Sequence, residues 1–146
     1  MRLSEYTDYA LRVLMHCARH PERLVTISEL AQGYGLSRNH LMKIVHDLGR
    51  QGLLQTTRGR SGGLRLGREP ARISVGDVVR ATETDFRQAE CFDPAHSQCS
   101  LQGNCGVQGT LQQALAAYFA VLNHTTLADI SAPRAQPVHF VAKPAA

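Results

Sequence analysis

Three cysteines crowd the second half of this 146-residue chain, Cys91, Cys99 and Cys105, spaced C-x7-C-x5-C. Three soft thiolates suit an iron–sulfur cluster or a zinc ion. The spacing lacks the paired C-x-x-C knuckles of most structural zinc sites. It also supplies three ligands only. A cluster of the 4Fe–4S type, or the smaller 2Fe–2S type, then needs a further donor from elsewhere, and for zinc the neighbouring donor is His96. Three of the four cysteines lie within fifteen residues, in a segment too polar to have a core of its own, which argues against incidental thiols. Cys17 differs: it falls on the apolar face of a helix and reads as a buried core thiol.

A second constellation lies upstream. Ser37, Arg38, Asn39 and His40 open a helix, with Lys43 one turn on. The start of a helix is the part that reads base edges in the DNA major groove, where arginine suits guanine and asparagine suits adenine, while serine or the helix terminus suits phosphate. Arg58 and Arg60 sit in RGRSGG, a flexible hairpin tip suited to the minor groove or to phosphates. Net charge is +4, and its distribution is uneven. Residues 1–68 hold eleven Lys/Arg against five Asp/Glu, whereas residues 69–146 hold five against seven. A basic half beside a mildly acidic one implies a polyanionic partner for the first.

The elements that must position these groups are legible in the periodicity. Leu3, Tyr6, Ala10, Val13, Leu14 and Cys17 recur at steps of three and four, predicting an amphipathic helix over 2–19 that Pro21 ends. A second helix begins near Ser28 and stops at Gly33–Gly35. A third begins at Ser37, a good N-cap, and runs to Gly52, with Leu41, Ile44, Val45 and Leu48 inward. Two helices joined by a tight glycine turn form a helix-turn-helix. LLQTT, RGRSGG and LRLG then read as strand, turn and strand, a β-hairpin wing. A short helix spans Ser74–Thr82, with Ser74 and Asp77 as a capping box. A long helix over about Val107–Asn123 carries Leu111, Ala114, Leu115, Tyr118, Val121 and Leu122 on one stripe, which predicts a dimer interface.

The expected architecture is mainly α with a small β-hairpin: a winged helix-turn-helix over 1–83, a cysteine-containing cluster loop over 84–106, a dimerisation helix and short following helix over 107–130, and a flexible tail over 131–146. No run of 18 apolar residues suggests a membrane span, and the N-terminus does not read as a signal peptide, so the expected location is cytoplasmic. An enzyme is not expected: the chain has no phosphate loop and no H-E-x-x-H. The expected partners are an operator in double-stranded DNA and a second copy of the chain.

The segments YTDYALRVLM, GLSRNHLMKIV, RGRSGGLRLG, ISVGDVVR, the cysteine loop and HTTLADI, in this order, resemble the Rrf2 family of iron–sulfur transcription regulators over about residues 1–130. The resemblance implies a homodimeric repressor with one cluster per subunit. It is strongest to the family's nitric-oxide-sensing members, in which three cysteines of one subunit and a first-helix aspartate of the other hold the cluster; here that aspartate is Asp8. The residues alone offer a different role for Asp8, an i,i+4 ion pair with Arg12. The family's cluster-assembly regulators carry a histidine three residues after the last cysteine, where this chain has Gln108. Its iron-status regulators share the cysteine spacing and a residue like Cys17, but have asparagine in place of Asp8. An iron-responsive regulator, a zinc-stabilised DNA-binding protein and an electron-transfer module therefore stand as the alternatives to a nitric-oxide sensor.

Overall fold

The computed structural model describes residues 2–93, 95–101 and 104–132. In chain order the elements are α1 (Glu5–Arg19), α2 (Ile27–Tyr34), α3 (Arg38–Arg50), β1 (Leu54–Thr57), β2 (Gly63–Leu66), α4 (Val75–Thr82), α5 (Gly106–His124) and α6 (Leu127–Ser131), with 3-10 turns at Pro70–Arg72 and Glu90–Phe92.

Ser4 caps α1, its hydroxyl accepting from the Thr7 amide at 3.2 Å, and satisfies one of the donors a helix start leaves open. The inward stripe is Thr7, Ala10, Val13, Leu14 and Cys17. The expected stripe began at Leu3 and Tyr6; Leu3 instead precedes the cap and is 37% exposed. Thr7 takes the buried place. Its hydroxyl donates to Thr82 Oγ1 at 2.8 Å, and Thr82 donates to the Val78 carbonyl at 2.8 Å, so these buried hydroxyls are hydrogen-bonded.

Thr26 caps α2, whose first residue, Ile27, lies one before the expected start near Ser28, and Gly35 ends it with φ +65°. Ser37 stands at the N-cap of α3, but its side chain makes no capping bond. Leu41, Ile44, Val45 and Leu48 are buried as the periodicity requires, joining Leu14, Leu30, Ile73 and Leu127 in one core. Gly52, at φ +69°, turns the chain out of α3. β1 and β2 pair antiparallel from Leu54↔Leu66 to Thr57↔Gly63, and Val25 adds a bridge to Leu64 through bonds of 2.9 and 2.7 Å. That bridge requires a glycine beside it: a Cβ on Gly63 would lie 2.7 Å from the Val25 carbonyl oxygen.

Ser74 and Asp77 form the expected capping box of α4. A second box, Thr126 with Asp129, starts α6. The segment before it is held by bonds from the Val75 amide to the Thr125 carbonyl and from the Leu127 amide to the Ile73 carbonyl, 2.8 and 2.9 Å. Leu127 is fully buried, and Arg19 Nε donates to the Ser131 carbonyl at 3.1 Å. The stretch after the long helix thus returns to close the core over α1. Ser131, expected to open a flexible tail, ends α6 and is buried; beyond Ala132 the expected tail lies outside the described residues.

α5 has no fully buried residue. It meets α4 through Phe119, which packs edge-to-face on Phe86 at 5.0 Å and under the Arg80 guanidinium at 4.2 Å. Arg80 also donates to Asn123 Oδ1 at 2.7 Å. Of the expected stripe, Leu111, Leu115, Tyr118 and Leu122 are half-buried, while Ala114 and Val121 are exposed. Among the described residues no helix is long and apolar enough to cross a membrane.

Candidate functional site

Because Leu41, Ile44, Val45 and Leu48 face the core, the helical repeat turns Arg38, Asn39, Met42, Lys43, His46 and Arg50 outward. All six are exposed, Met42 by 49%. Ser37 is exposed at the start of the helix, its hydroxyl not spent on a cap. His40 is placed differently. Its ring is half-buried and stands edge-to-face on Tyr9 at 5.4 Å, with Tyr6 at 6.4 Å, so it packs α3 on α1. Met42 and His46 were missed in the sequence, although their spacing from Asn39 and Lys43 puts them on the same face.

A groove runs between α3 and the hairpin, lined by Met42, His46 and Arg50 on one side and by Thr57, Arg58 and Arg65 on the other. Arg60 is exposed at the hairpin tip. Among the described residues Arg38, Lys43, Arg58 and Arg60 enter no ion pair. Cations left unneutralised on one face supply the sequence-independent part of DNA affinity.

The recognition helix is tied to α1 by one short polar contact. The Tyr6 hydroxyl donates to Asp47 Oδ2 at 2.6 Å. Burial and the Asp47 carboxylate both raise the Tyr6 pKa, so the hydroxyl keeps the proton it donates. Tyr6→Phe is expected to lower stability by about 1 kcal/mol and to weaken DNA binding without altering sequence preference. Urea unfolding and binding to a mixed duplex pool check this.

Asp8, two residues beyond Tyr6, pairs with Arg12 at 2.7 Å. Both side chains are nearly half exposed, so the pair is worth only a few tenths of a kcal/mol and opens cheaply.

The cysteine loop is held by polar contacts more than by packing. Cys91 lies in the Glu90–Phe92 turn, Cys99 in irregular chain, and Cys105 at the N-cap of α5. Gln108 Nε2 reaches back to the Cys91 carbonyl at 3.4 Å. Arg87 bridges Asp85 and Asp93, and Glu90 accepts from the Gln98 amide. His96, the alternative zinc ligand, is 83% exposed and bonded to Asp93 at 3.0 Å. All three loop thiols are free and half-buried.

Among the described residues one group brings three His, Cys, Asp or Glu ligand atoms within 4.8 Å of each other, and it is His16, His20 and Glu29. The loop thiols do not converge in that way. Single-ion convergence is what a zinc site requires. A cluster takes its thiolates at separate irons, so it does not require the three loop thiols to meet at a point. Cys17 is buried in the core, its thiol pushed up to about 12 by burial and by the nearby Glu29 carboxylate.

A helix-turn-helix with an exposed basic reading face and a basic wing defines a DNA-binding transcription regulator. The chain belongs to the Rrf2 family: the family pattern, described as an iron-dependent transcriptional regulator, matches residues 3–133. Such winged regulators bind DNA and are not enzymes. The chain is 47% identical over 131 residues to the HTH-type transcriptional regulator NsrR of Bacillus subtilis, covering 89% of this chain and 90% of that one. It is 45% identical over 136 residues to protein aau3 of Rhizobium meliloti, covering 93% and 88%. Among solved structures it resembles CymR, the global cysteine regulator of B. subtilis, with a TM-score of 0.75 and 27% identity over 90% of this chain and 96% of that one. It also resembles IscR of T. potens, with a TM-score of 0.73 and 26% identity over 94% of each chain.

Proposed function

We propose that the protein is a dimeric DNA-binding repressor that senses nitric oxide through an iron–sulfur cluster. Cys91, Cys99 and Cys105 of one subunit would hold the cluster, with Asp8 of the other subunit as the remaining donor. The observation that carries this reading is the 47% identity to NsrR along nearly the whole chain, joined to a loop bearing three free, half-buried thiols. When bound, the cluster supplies iron, to which nitric oxide is a strong ligand.

The protein's own residues do the rest. A carboxylate is a hard donor beside three soft thiolates, so Asp8 would be the ligand most readily exchanged. Arg12 stands ready to receive it at 2.7 Å. With Asp8 back on Arg12, α1 of one subunit would no longer be tied to the loop of its partner. α1 carries Tyr6, which grips Asp47 on α3, and Tyr9, which packs on His40. A shift of α1 therefore displaces the recognition helix, and two such helices must keep a spacing of about 34 Å to meet successive major grooves. The exposed part of the α5 stripe, Ala114 and Val121, with Val107 one turn before the stripe begins, is the surface assigned to the second subunit.

Asp8 decides the experiment. Asp8→Ala is expected to retain a cluster on three thiolates, to lose it faster in air, and to bind DNA more weakly before any signal. Arg12→Ala is expected to leave the cluster intact, because it removes only the competitor for Asp8. If Asp8 serves the ion pair alone, the two variants will behave alike and both will match wild type in visible absorption and in nitric-oxide kinetics.

An iron-status regulator is the second reading. It is favoured by the family description as iron-dependent and by a cysteine spacing shared with such regulators. A protein whose DNA binding follows iron supply and ignores nitric oxide would establish it.

A further inference from the structure

We propose that His16, His20 and Glu29 form a binding site for a divalent transition-metal ion of the kind imidazole favours, with zinc as the test ion, clamping α1 to α2. This site is separate from the cysteine loop and makes no use of it.

The geometry begins with spacing. His16 and His20 are four residues apart, the separation that stacks two side chains on one helix face. Their rings lie 4.9 Å apart, centroid to centroid. α2 brings Glu29 against them, with Oε1 2.9 Å from His16 Nε2, and all three residues are half-buried. Two imidazoles and one carboxylate, each with a ligand atom within 4.8 Å of the others, make a three-donor set that leaves a position open to solvent, a combination well suited to zinc.

The surroundings carry a further feature of such sites. Metal-bound histidines generally give their other ring N–H to an acceptor that fixes the tautomer. His16 Nδ1 lies 3.2 Å from the Tyr34 hydroxyl. With the proton on Nδ1, facing Tyr34, the Nε2 lone pair is free to meet an ion. Glu29 is held ionised, at about 2, by its bonds to Arg23 and His16, so it offers a full negative charge. Beneath the group, Cys17 is buried and keeps its proton.

Arg23 opposes the ion. Its NH1 and NH2 grip Glu29 Oε2 and Oε1 at 2.9 and 2.6 Å. To admit the ion, Arg23 must leave Oε1, and His16 must give up its bond to the same atom. Arg23 is 42% exposed and can swing into solvent. Arginine thus occupies the carboxylate when no ion is bound, and its removal is expected to favour the ion, whereas removal of a true ligand abolishes it. An ion-pair hub with no metal role makes no such prediction of opposite signs.

The test uses full-length protein carrying Cys91→Ala, Cys99→Ala and Cys105→Ala, so that loop thiols take no ion, with circular dichroism to confirm folding. Calorimetric titration with zinc chloride is expected to show one equivalent bound per chain. Adding His20→Gln or Glu29→Gln should weaken binding at least tenfold, and Tyr34→Phe by about tenfold. Adding Arg23→Ala should tighten it by about twofold to fivefold. Cobalt(II) in place of zinc should show nitrogen and oxygen ligation, without the charge-transfer absorption of a thiolate. The proposal is overturned by failure to bind zinc, by binding that survives His20→Gln and Glu29→Gln, by weaker binding in Arg23→Ala, or by thiolate absorption from Cys17. If a glutamine variant unfolds, Arg23→Ala and Tyr34→Phe still give opposite signs when the proposal holds and the same sign when it fails.

Discussion

Alanine at Cys91, Cys99 or Cys105 is expected to yield a colourless protein from anaerobic purification, with the visible absorption of the cluster lost outright. Each thiol is free and half-buried on the loop, and a cluster missing one of its three soft ligands has only carboxylate or water to replace it. Cys17→Ala should stay coloured. Its thiol is 3% exposed and packs with Ala10, Val13 and Leu14, so the cost is a small cavity of about 1 kcal/mol, read as a lower urea midpoint. Folded but colourless Cys17→Ala protein would show that the ligands have been assigned wrongly, and a coloured loop variant would remove that cysteine from the set.

The second large effect is expected on DNA. Arg38→Ala and Asn39→Ala should each relax preference at one base position per half-site, at a cost of about 1–3 kcal/mol. Lys43→Ala should weaken all duplexes alike and flatten the salt dependence by about one unit of slope. Alanine at Arg58 or Arg60 should act mainly on A·T-rich flanks, where a narrow minor groove attracts arginine. His40→Ala should behave unlike all of these: loss of its edge-to-face contact with Tyr9 costs about 0.5–1.5 kcal/mol of stability, while base preference stays the same. Selection from a randomised duplex pool, followed by binding at several salt concentrations, separates these outcomes. Unchanged selection by Arg38→Ala and Asn39→Ala would reject α3 as the reader.

Elements that rest on local rules could be read directly from the residues. The apolar stripe of α3 and the Ser74–Asp77 capping box depend on spacing within one turn or two, and both appear as expected. Features set by distant partners were not legible. Thr7 is buried because Thr82, seventy-five residues away, receives its hydroxyl proton. His40 faces inward because Tyr6 and Tyr9 of another helix offer their rings. α6 was expected as a short following helix, but its sealing of the core through Leu127 depends on α1 and the Ile73 segment, far away in the chain. Phe119, the anchor of α5, lies beside the expected stripe because its partners, Phe86 and Arg80, come from another part of the chain.

For the loop of the proposed cluster, candidate donors can be named from the residues, but their arrangement cannot. Thiolate type and spacing follow from the residues, whereas the braces around them, Gln108 on Cys91 and Arg87 between Asp85 and Asp93, depend on how the loop folds back. Asp8 holds both of its readings: it is paired with Arg12 in the single chain, and the proposed function gives it to a partner's cluster in the dimer.

The most direct test of the account is native mass spectrometry of the anaerobically purified protein, before and after addition of nitric oxide. A nitric-oxide-sensing repressor should appear as a dimer carrying one iron–sulfur cluster per subunit, with those masses shifting on nitric oxide while zinc remains absent from the loop. A colourless protein carrying a single zinc ion per loop, with a mass unchanged by nitric oxide, would contradict it.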